Sequence, residues 1–263
     1  MRCHMATAPL EVILLIKSAD DKSQQIKALR ALAARSDIDA QTRGRIDKEI
    51  RDVERGAKGE REAAYEIEFS YKNSENWAII HDLRFECDGH TAQIDHLLIS
   101  RWLEVWVCET KFFSGDVVIN DHGEFEVDYQ SRRFGIASPL EQNKKHIKAL
   151  ERAVKSKLIK TPSRLGFSLK PSLNSVILLS QKSLIHRPSA NVEGIESLVK
   201  IDQFISRINH DINSYSDLQA WRHAIKVVSS NTLKRFAEDI AALHKPARYD
   251  WAGKFGVSAQ GPA

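Results

Sequence analysis

Two neighbouring apolar runs that carry acidic residues near their ends constrain the fold most strongly. The first run covers residues 94–99 and contains Asp95, and the second covers residues 103–111 and ends in Glu109 and Lys111. Side chains of a β-strand alternate between its two faces, so Glu109 and Lys111 continue a face that is otherwise apolar. The two runs are expected to pair as a hairpin, which places Asp95 near Glu109.

Two carboxylates and a lysine in this arrangement suit a divalent metal ion. Carboxylate oxygens are hard ligands that bind Mg²⁺, and water or phosphate completes its coordination. Lys111, two residues beyond Glu109, can hold a nucleophilic water or offset the charge of a phosphate. An isolated Glu-x-Lys pair is more often an exposed ion pair on an edge strand, so the assignment depends on further acidic residues.

A third acidic residue, Glu60, lies within a segment whose apolar spacing predicts one long helix over residues 39–67. The apolar positions recur in steps of three and four and are Ile46, Ile50, Val53, Ala57, Ala64 and Ile67. Glu60 is in register with this face, where an unpaired carboxylate is costly, so it needs a cation; alternatively, it turns to solvent at the helix edge. Gly56 and Gly59 each cost about 1 kcal/mol relative to alanine in a helix, which predicts a close packing contact.

A second helix is predicted to begin at Ser138. Serine is a favoured N-cap, Pro139 suits the first helical position, and Glu141 follows three residues after the cap. Gln142 then lies in the first turn, beside the apolar face of the helix. It is interpreted either as a contact to an attacking water, a metal-bound group or a nucleic-acid backbone, or as an ordinary polar residue.

Taken together, these segments resemble the nuclease-related domain (NERD) family, which belongs to the PD-(D/E)XK nuclease superfamily. The motifs occur in the family's order over roughly residues 55–185 and are Gly59-Glu60, Ile80-His81-Asp82-Leu83, Gln93-Ile94-Asp95-His96, Glu109-Thr110-Lys111 and Pro139-x-x-Gln142-Asn143. The resemblance implies an α/β fold with a restriction-endonuclease-like mixed β-sheet flanked by helices. By position it implies an active site formed by Glu60, Asp95, Glu109, Lys111 and Gln142.

Two positions depart from the family pattern. Arg101-Trp102 occupies the turn between the two strands, where a glycine is expected, and Ile94 precedes the first acid, where proline is usual. The first departure bears on the turn conformation, and neither removes a functional group.

The expected function is that of a metal-dependent phosphodiesterase acting on nucleic acid, with DNA as the expected substrate. Mg²⁺ or Mn²⁺ would be held by Asp95, Glu109 and Glu60. The residues expected to contact nucleic acid are Lys58, Arg61, Lys144 and Lys145, although they equally suit ordinary solvated helix faces. Two alternatives remain open: a non-catalytic nucleic-acid-binding module on the same fold, and an interaction domain that uses the C-terminal helices for a protein partner.

Composition and charge place the chain among ordinary globular proteins. The 263 residues carry a formal net charge of +4, which is compatible with binding a polyanion but does not establish it. No run of about twenty apolar residues occurs, so no membrane span is expected. Three cysteines without a framework spacing fit a reducing compartment, so a cytoplasmic location is expected.

The expected organisation has four parts. Residues 1–50 are predicted to form a helical N-terminal extension, residues 51–185 the nuclease core, residues 186–245 a C-terminal helical region and residues 246–263 a loose tail, which Tyr249 and Trp251 could alternatively dock. Within the core, a strand over residues 77–85 is predicted to place Trp77, Ile79, Leu83 and Phe85 on one face, and a hairpin is predicted over residues 115–129. In the C-terminal region, one predicted helix is marked by Leu218, Trp221, Ile225 and Val228.

Overall fold

The computed structural model describes residues 14–213 and 226–258. Its strands, in chain order, are β1 (Leu15–Lys17), β2 (Trp77–Cys87), β3 (His90–Ser100), β4 (Glu104–Lys111), β5 (Asp116–Ile119), β6 (Phe125–Tyr129), β7 (Arg132–Ile136), β8 (Ser163–Arg164), β9 (Phe167–Ser168), β10 (Ser172–Leu179), β11 (Ile185–His186) and β12 (Leu198–Lys200). Its helices are α1 (Ser23–Ala33), α2 (Ala40–Tyr71), α3 (Pro139–Lys155), α4 (Phe204–Asn213), α5 (Ser230–Ala241) and α6 (Trp251–Phe255). None of the helices in these described segments has the length and apolar character needed to cross a membrane.

The centre of the fold is a six-stranded mixed sheet in the order β1-β2-β3-β4-β10-β12. The strands β2, β3 and β4 are antiparallel neighbours, whereas β10 runs parallel to both β4 and β12. The hairpin predicted to bring Asp95 and Glu109 together is therefore the centre of the sheet, and its first strand, β3, is longer than its apolar run suggested.

Helices cover both faces of this sheet. On one face, α3 and α5 pack their apolar residues, such as Leu150 and Phe236, against β2, β3 and β4. On the other face, α2 and α4 contribute Ile67 and Phe204 to a second apolar cluster with Trp106 of β4. This arrangement confirms the predicted α/β fold with a mixed sheet flanked by helices, and it is consistent with a nuclease-like fold.

The long helix α2 begins where its sequence predicts. The side chain of Asp39, at the N-cap, accepts a hydrogen bond from the Thr42 backbone N–H at 2.8 Å, and the helix continues four residues beyond Ile67 to Tyr71. Its first half packs against α1 and α6, and its second half packs on the sheet. One helix thus connects the N-terminal extension to the core.

Midway along β2, alternate side chains switch from one face of the sheet to the other, which the sequence pattern did not predict. Trp77 and Ile79 of β2 lie in the α2 cluster, whereas Leu83 and Phe85 lie in the cluster on the α3 side, so the prediction that the four share a face was wrong. The cause lies at Asp82, whose φ of 51° interrupts the alternation of the strand.

A second positive φ occurs in the turn between β3 and β4. The family pattern places a glycine in this turn, and here Leu103 adopts a φ of 56°. Its side chain is fully buried in the cluster on the α3 side, and its N–H donates to the Ser100 carbonyl at 2.9 Å. Burial of a leucine side chain contributes about 1.5–3 kcal/mol, which offsets the conformational cost of a left-handed residue.

A smaller sheet in the order β11-β5-β6-β7 adjoins the central sheet. The hairpin predicted over residues 115–129 forms its centre as β5 and β6, which turn after Asn120. Apolar residues of β5 and β6 pack against Leu140 of α3 and Ile177 of β10, at the end of the sheet where β4 carries Glu109.

The described C-terminal part of the chain differs from its predicted character. The tail predicted to be loose includes α6, where Trp251 and Phe255 are buried against α1 and α2. The region predicted to be helical from residue 186 also supplies β12, an edge of the central sheet, and the second residue of β11. The helix predicted from Leu218, Trp221 and Ile225 falls outside the described residues.

Candidate active site

The candidate site lies where β3 and β4 separate. Their backbone pairing ends at His96 and Cys108, one residue before the predicted acids Asp95 and Glu109. Beyond that pair, the Asp95 side chain replaces a backbone acceptor: its Oδ2 accepts a hydrogen bond from the Thr110 N–H at 2.7 Å. The two carboxylates therefore lie where the backbone pairing of the two central strands ends and a side chain continues the contact.

Glu109 is the most connected residue of the site and is 2% exposed. Its Oε1 accepts hydrogen bonds from Lys111 Nζ and from Gln142 Nε2, both at 2.6 Å. Three of the five residues predicted for the active site are thus in direct contact. Because Gln142 comes from α3 and the other two from β4, the contact joins the helix layer to the sheet.

The second oxygen of Glu109 has different surroundings. Glu109 Oε2 is buried and has no hydrogen-bond partner among the described residues, and His146 Nδ1 of α3 approaches it at 3.4 Å. Burial, with a smaller contribution from the Lys111 charge, lowers the pKa of His146 to about 4. His146 is therefore neutral at pH 7 and does not form an ion pair with this oxygen.

The protonation of the two central carboxyl groups reflects their crowding. Removal from water, followed by the charges of Glu109 and Glu60, raises the pKa of Asp95 well above its usual range. Burial also raises the pKa of Glu109, against the lowering effect of Lys111, and the charge of Glu60 adds to the increase. Like-charged groups thus face one another here, and a bound cation would lower this repulsion.

Glu60 reaches the site from α2, on the opposite side of the sheet from α3. Its charge acts on both Asp95 and Glu109, yet its own hydrogen bonds are made to Lys22 Nζ, at 2.6 and 2.5 Å. Burial alone would lower the pKa of Lys22, but the charges of Glu60, Asp82 and Asp95 outweigh it and raise that pKa. The predicted need of Glu60 for a cation is met in this structure by a lysine.

A close helix-to-strand approach sets the position of Glu60. A β-carbon on Gly59 would lie 2.8 Å from Cβ of Phe112, the residue that follows Lys111. A β-carbon on Gly56 would meet only Glu60 Oε1, at 3.9 Å, which is ordinary contact. The packing reason predicted for the two glycines therefore applies to Gly59.

The position of Gln142 depends on a buried asparagine beside it. Ser138 caps α3 as predicted, accepting a hydrogen bond from the Glu141 N–H at 3.3 Å. Asn143 is fully buried, and its Nδ2 donates to the Val107 carbonyl and to Ser175 Oγ, each at 2.8 Å. These bonds attach the first turn of α3 to β4 and β10, which directs Gln142 toward Glu109.

The donor chemistry of the site fits a hard divalent cation. Asp95, Glu109 and Glu60 offer carboxylate oxygens, and Glu109 Oε2 is a buried acceptor without a hydrogen bond. The side chains are not arranged as a complete binding shell: over residues 14–213 and 226–258, no group of three or more His, Cys, Asp or Glu side chains is placed to hold an ion. Lysine ammonium groups bind Glu60 and Glu109 instead.

The four predicted nucleic-acid contacts divide between the two helices beside the site. Lys58 and Arg61 are exposed on α2, where Lys58 also lies over the ring of Phe112, at 5.4 Å. On α3, Lys145 is exposed, whereas Lys144 pairs with Glu141 at 2.9 Å. All four are accessible, and their role stays a prediction.

A cleft of about 520 Å³ adjoins the candidate site and includes Lys22 in its lining. Asp82 of β2 also lines it and accepts a hydrogen bond from Gln93 at 3.0 Å. Tyr249 and Trp251 of the C-terminal segment form its far wall, with their rings stacked 4.8 Å apart. The N-terminal extension and the tail thus reach the edge of the site.

Sequence reasoning missed Lys22, and it gave Asn143 no role beyond its place in the family motif. Asn143 had a weak signal, since it interrupts the apolar stripe of its helix. Lys22 had none, because it lies 38 residues from its partner and outside every motif.

Comparison with protein families supports the assignment of this region. Residues 55–180 match the family model of the nuclease-related domain, and the match includes all five residues predicted for the active site. Comparison with curated proteins and with solved structures gave no match. The chain therefore carries, over residues 55–180, a nuclease-related domain of the PD-(D/E)XK superfamily.

Proposed function

We propose that this protein is a metal-dependent nuclease that hydrolyses phosphodiester bonds of nucleic acid, with DNA as the expected substrate. The observation that carries the proposal is the arrangement around Glu109: a buried carboxylate that contacts Lys111 and Gln142, with Asp95 and Glu60 close enough for their charges to interact with it. These groups lie in the part of the chain that matches a nuclease-related family.

Asp95, Glu109 and Glu60 would hold Mg²⁺ or Mn²⁺. When bound, such an ion acts as a Lewis acid and lowers the pKa of a coordinated water. Lys111 places its ammonium group beside Glu109, where it can hold the attacking water and offset charge on the phosphate in the transition state. Gln142 Nε2 can orient the same water by a hydrogen bond.

Lys22 contributes to the charge balance of the site. Its ammonium group holds both oxygens of Glu60, so Glu60 is available to a metal only after this bond is exchanged. Lys111 holds Glu109 in the same way, through one oxygen. Two lysines therefore offset the negative charge of the carboxylates, and a divalent ion would take over part of that role.

This same observation favours one alternative, a nucleic-acid-binding module without catalytic activity. Lysine contacts to Glu60 and Glu109 would then be permanent, and the acidic residues would serve only to support the fold. Incubation of the purified protein with linear, circular and single-stranded DNA separates the two, in Mg²⁺, Mn²⁺ or EDTA. A nuclease cuts at least one substrate with a metal and none in EDTA, whereas the binding module leaves every substrate intact.

A further inference from the structure

We propose that a lysine-lined cleft at the C-terminal end of α3, together with the tip of the β8–β9 hairpin, binds the backbone of nucleic acid away from the candidate active site. This inference rests on the proposed function, because it names where the substrate continues beyond the point of cleavage. It involves none of the residues predicted from the sequence to contact nucleic acid.

The positive charge of the chain is concentrated in one segment. Residues 152–192 contain eight of the 39 Lys and Arg residues and none of the 35 Asp and Glu residues. The rest of the chain has 31 basic and 35 acidic residues, so its formal charge is negative. The modest net charge of the whole protein therefore conceals a strongly basic part.

The fold collects much of this charge around one groove. Two adjoining hollows of about 370 and 430 Å³ share Val154, Lys155 and Lys170 in their lining. The lysines that line them are Lys155, Lys157, Lys160, Lys170 and Lys226, and Glu151 is the one acidic residue in the lining. Among the described side chains, no carboxylate lies within ion-pair distance of the first four of these lysines, so their charge is available to a polyanion.

The turn after α3 holds these lysines in a defined conformation. Lys157 has a φ of 60°, a left-handed conformation that helix ends normally assign to glycine. Its N–H donates to the Val154 carbonyl at 3.1 Å, and the next turn is anchored by Ile159, which is 2% exposed and bonds the Ala153 carbonyl at 3.0 Å. Anchored backbone on both sides lowers the entropic cost of placing several charges along a ligand.

The hairpin beside this cleft exposes apolar side chains at an unusual position. β8 and β9 are joined by Leu165 and Gly166, whose φ values of 50° and 81° define a two-residue turn of the type that favours Asn-Gly. Leu165 is 92% exposed and Phe167 is 77% exposed. A leucine that is strained and unburied gains nothing within the fold, whereas grooves and unstacked bases of nucleic acid accept apolar side chains.

The distance to the candidate active site matches a continuous duplex. From Gln142 to Lys155, α3 advances 13 residues, or roughly 20 Å at 1.5 Å per residue. A duplex rises 3.4 Å per base pair on each strand, so this length corresponds to about six base pairs. A groove between walls suits a strand of nucleic acid better than a membrane surface, which is flat on this scale.

The test is binding of a duplex of about 20 base pairs in EDTA, so that cleavage plays no part, at about 50 to 200 mM salt. Simultaneous Lys155→Ala, Lys157→Ala, Lys160→Ala and Lys170→Ala changes are expected to weaken binding at least about tenfold at low salt. The slope of log affinity against log salt should flatten by about 0.9 for each phosphate that the variant no longer neutralises.

The matched control removes the same net charge elsewhere, through Lys27→Ala, Lys48→Ala, Lys72→Ala and Lys234→Ala. Its affinity should stay within about twofold of the wild type, since these lysines lie outside the groove. Equal reductions in the affinity of the two quadruple variants would overturn the inference, because net charge alone would then explain binding.

A single substitution tests the hairpin tip without harming its fold. Leu165→Asn introduces the residue that the turn favours, so the melting temperature should hold or rise while DNA affinity falls severalfold. Unchanged affinity with an unchanged fold would remove the hairpin from the proposed surface. If Leu165→Asn lost the wild type's binding to vesicles containing phosphatidylserine but still bound DNA as the wild type does, the hairpin tip would be a lipid site. That result would overturn the proposal.

The two proposals fail in different ways. If the wild type cuts DNA and the groove variant binds as tightly as its control, the groove inference fails and the nuclease remains. If the groove variant loses DNA binding but no substrate is cut with any metal, the groove inference stands and the nuclease fails.

Discussion

At the scale of single residues, the two carboxylate oxygens of Glu109 differ in their hydrogen bonding. Oε1 is held by Lys111 and Gln142, while Oε2 is buried without a hydrogen bond among the described residues. An ion bound at Oε2 would leave both existing bonds in place, because they are made to the other oxygen. Glu60 differs in this respect, since both of its oxygens bind Lys22.

Replacement of Lys22 tests this exchange. Lys22→Met keeps the length of the side chain and removes its charge, so Glu60 loses its partner at the edge of the site. We expect the metal-free protein to lose on the order of 1.5–3 kcal/mol of stability, as for a hydrogen bond to a charged group. We also expect Mg²⁺ to raise its melting temperature at lower concentration than in the wild type, since no lysine competes for Glu60.

The matched control is Lys27→Met, at an exposed lysine in α1, the helix that Lys22 immediately precedes. It should melt and respond to Mg²⁺ as the wild type does. Equal behaviour of the two variants in EDTA and across the Mg²⁺ titration would mean that Lys22 has no part in the charge balance of the site.

At the scale of elements, the site depends on how closely α2 approaches the end of β4. Gly59 permits that approach because a β-carbon there would lie 2.8 Å from Phe112 Cβ, an atom fixed to the backbone. Gly44 lies in the same helix with nothing within 4 Å of such a β-carbon. The two glycines have the same intrinsic cost in a helix and differ only in what surrounds them.

Alanine substitution at these two glycines should therefore give opposite results. Gly44→Ala should stabilise the protein by up to about 1 kcal/mol, since alanine favours the helix. Gly59→Ala should destabilise it, because the helix must move away from Phe112, and it should lower DNA cleavage as Glu60 moves with the helix. Thermal melting and a cleavage assay on both variants check this, and a gain in stability for Gly59→Ala would contradict the packing argument.

Local elements were predictable, whereas their long-range partners were not. The cap at Asp39, the start of α3 at Ser138 and the β3–β4 hairpin follow from patterns within a few residues of each element. The face change at Asp82 did not follow, since a positive φ at an aspartate leaves no mark on an apolar pattern. The strand pattern can therefore predict which residues are buried without predicting on which side.

At the scale of the whole molecule, buried neutral histidines link stability to pH. His81 and His96 are each 1% exposed, and their Nδ1 atoms lie 2.8 Å apart. Burial, against a partial opposing effect of Glu68, lowers the pKa of His81 to about 4, and burial also lowers that of His96. Both rings are neutral in the folded protein at pH 7.

Stability should therefore fall in mild acid. Above the unfolded pKa of 6.5, neither state binds a proton at these rings, so stability does not change; below it, the unfolded chain binds protons that the folded state excludes until the pH reaches about 4. For His81 alone this amounts to on the order of 2 kcal/mol near pH 5. Asp95 and Glu109 act in the opposite direction, because their raised pKa values favour proton uptake by the folded state.

Melting temperatures from about pH 8 to about pH 5 measure this dependence. A His81→Phe, His96→Leu variant should lose less stability over that range than the wild type, because its apolar side chains do not titrate. His210→Gln, at a histidine whose side chain is 77% exposed, should follow the wild-type curve. Parallel curves for all three proteins would assign the acid response to other groups.

The assembly of the site from separate parts of the chain was the least predictable feature. Glu60, Asp95 and Glu109 could be predicted because each lies in a short family motif. The cleft beside them, however, is lined by Lys22 and by Tyr249, which come from opposite ends of the chain. Such contacts depend on where whole elements pack, and single positions carry no trace of them. For the docked helix α6, the sequence offered Tyr249 and Trp251 as residues that could dock the tail, but it did not indicate the helices against which they pack.

The most direct measurement of the central claim is the rate of DNA cleavage with Mg²⁺ by purified wild type and site variants. Asp95→Asn and Glu109→Gln keep shape and remove charge needed to hold an ion, and Lys111→Ala removes a charge that is felt in the transition state. Each should reduce the rate at least about 10²–10³-fold, with the fold intact. Asp88→Asn removes the same charge as Asp95→Asn from an exposed turn and should cut like the wild type. If wild type, Asp95→Asn and Glu109→Gln all cut DNA at the same rate, the activity does not arise from these carboxylates and the account of the site is wrong.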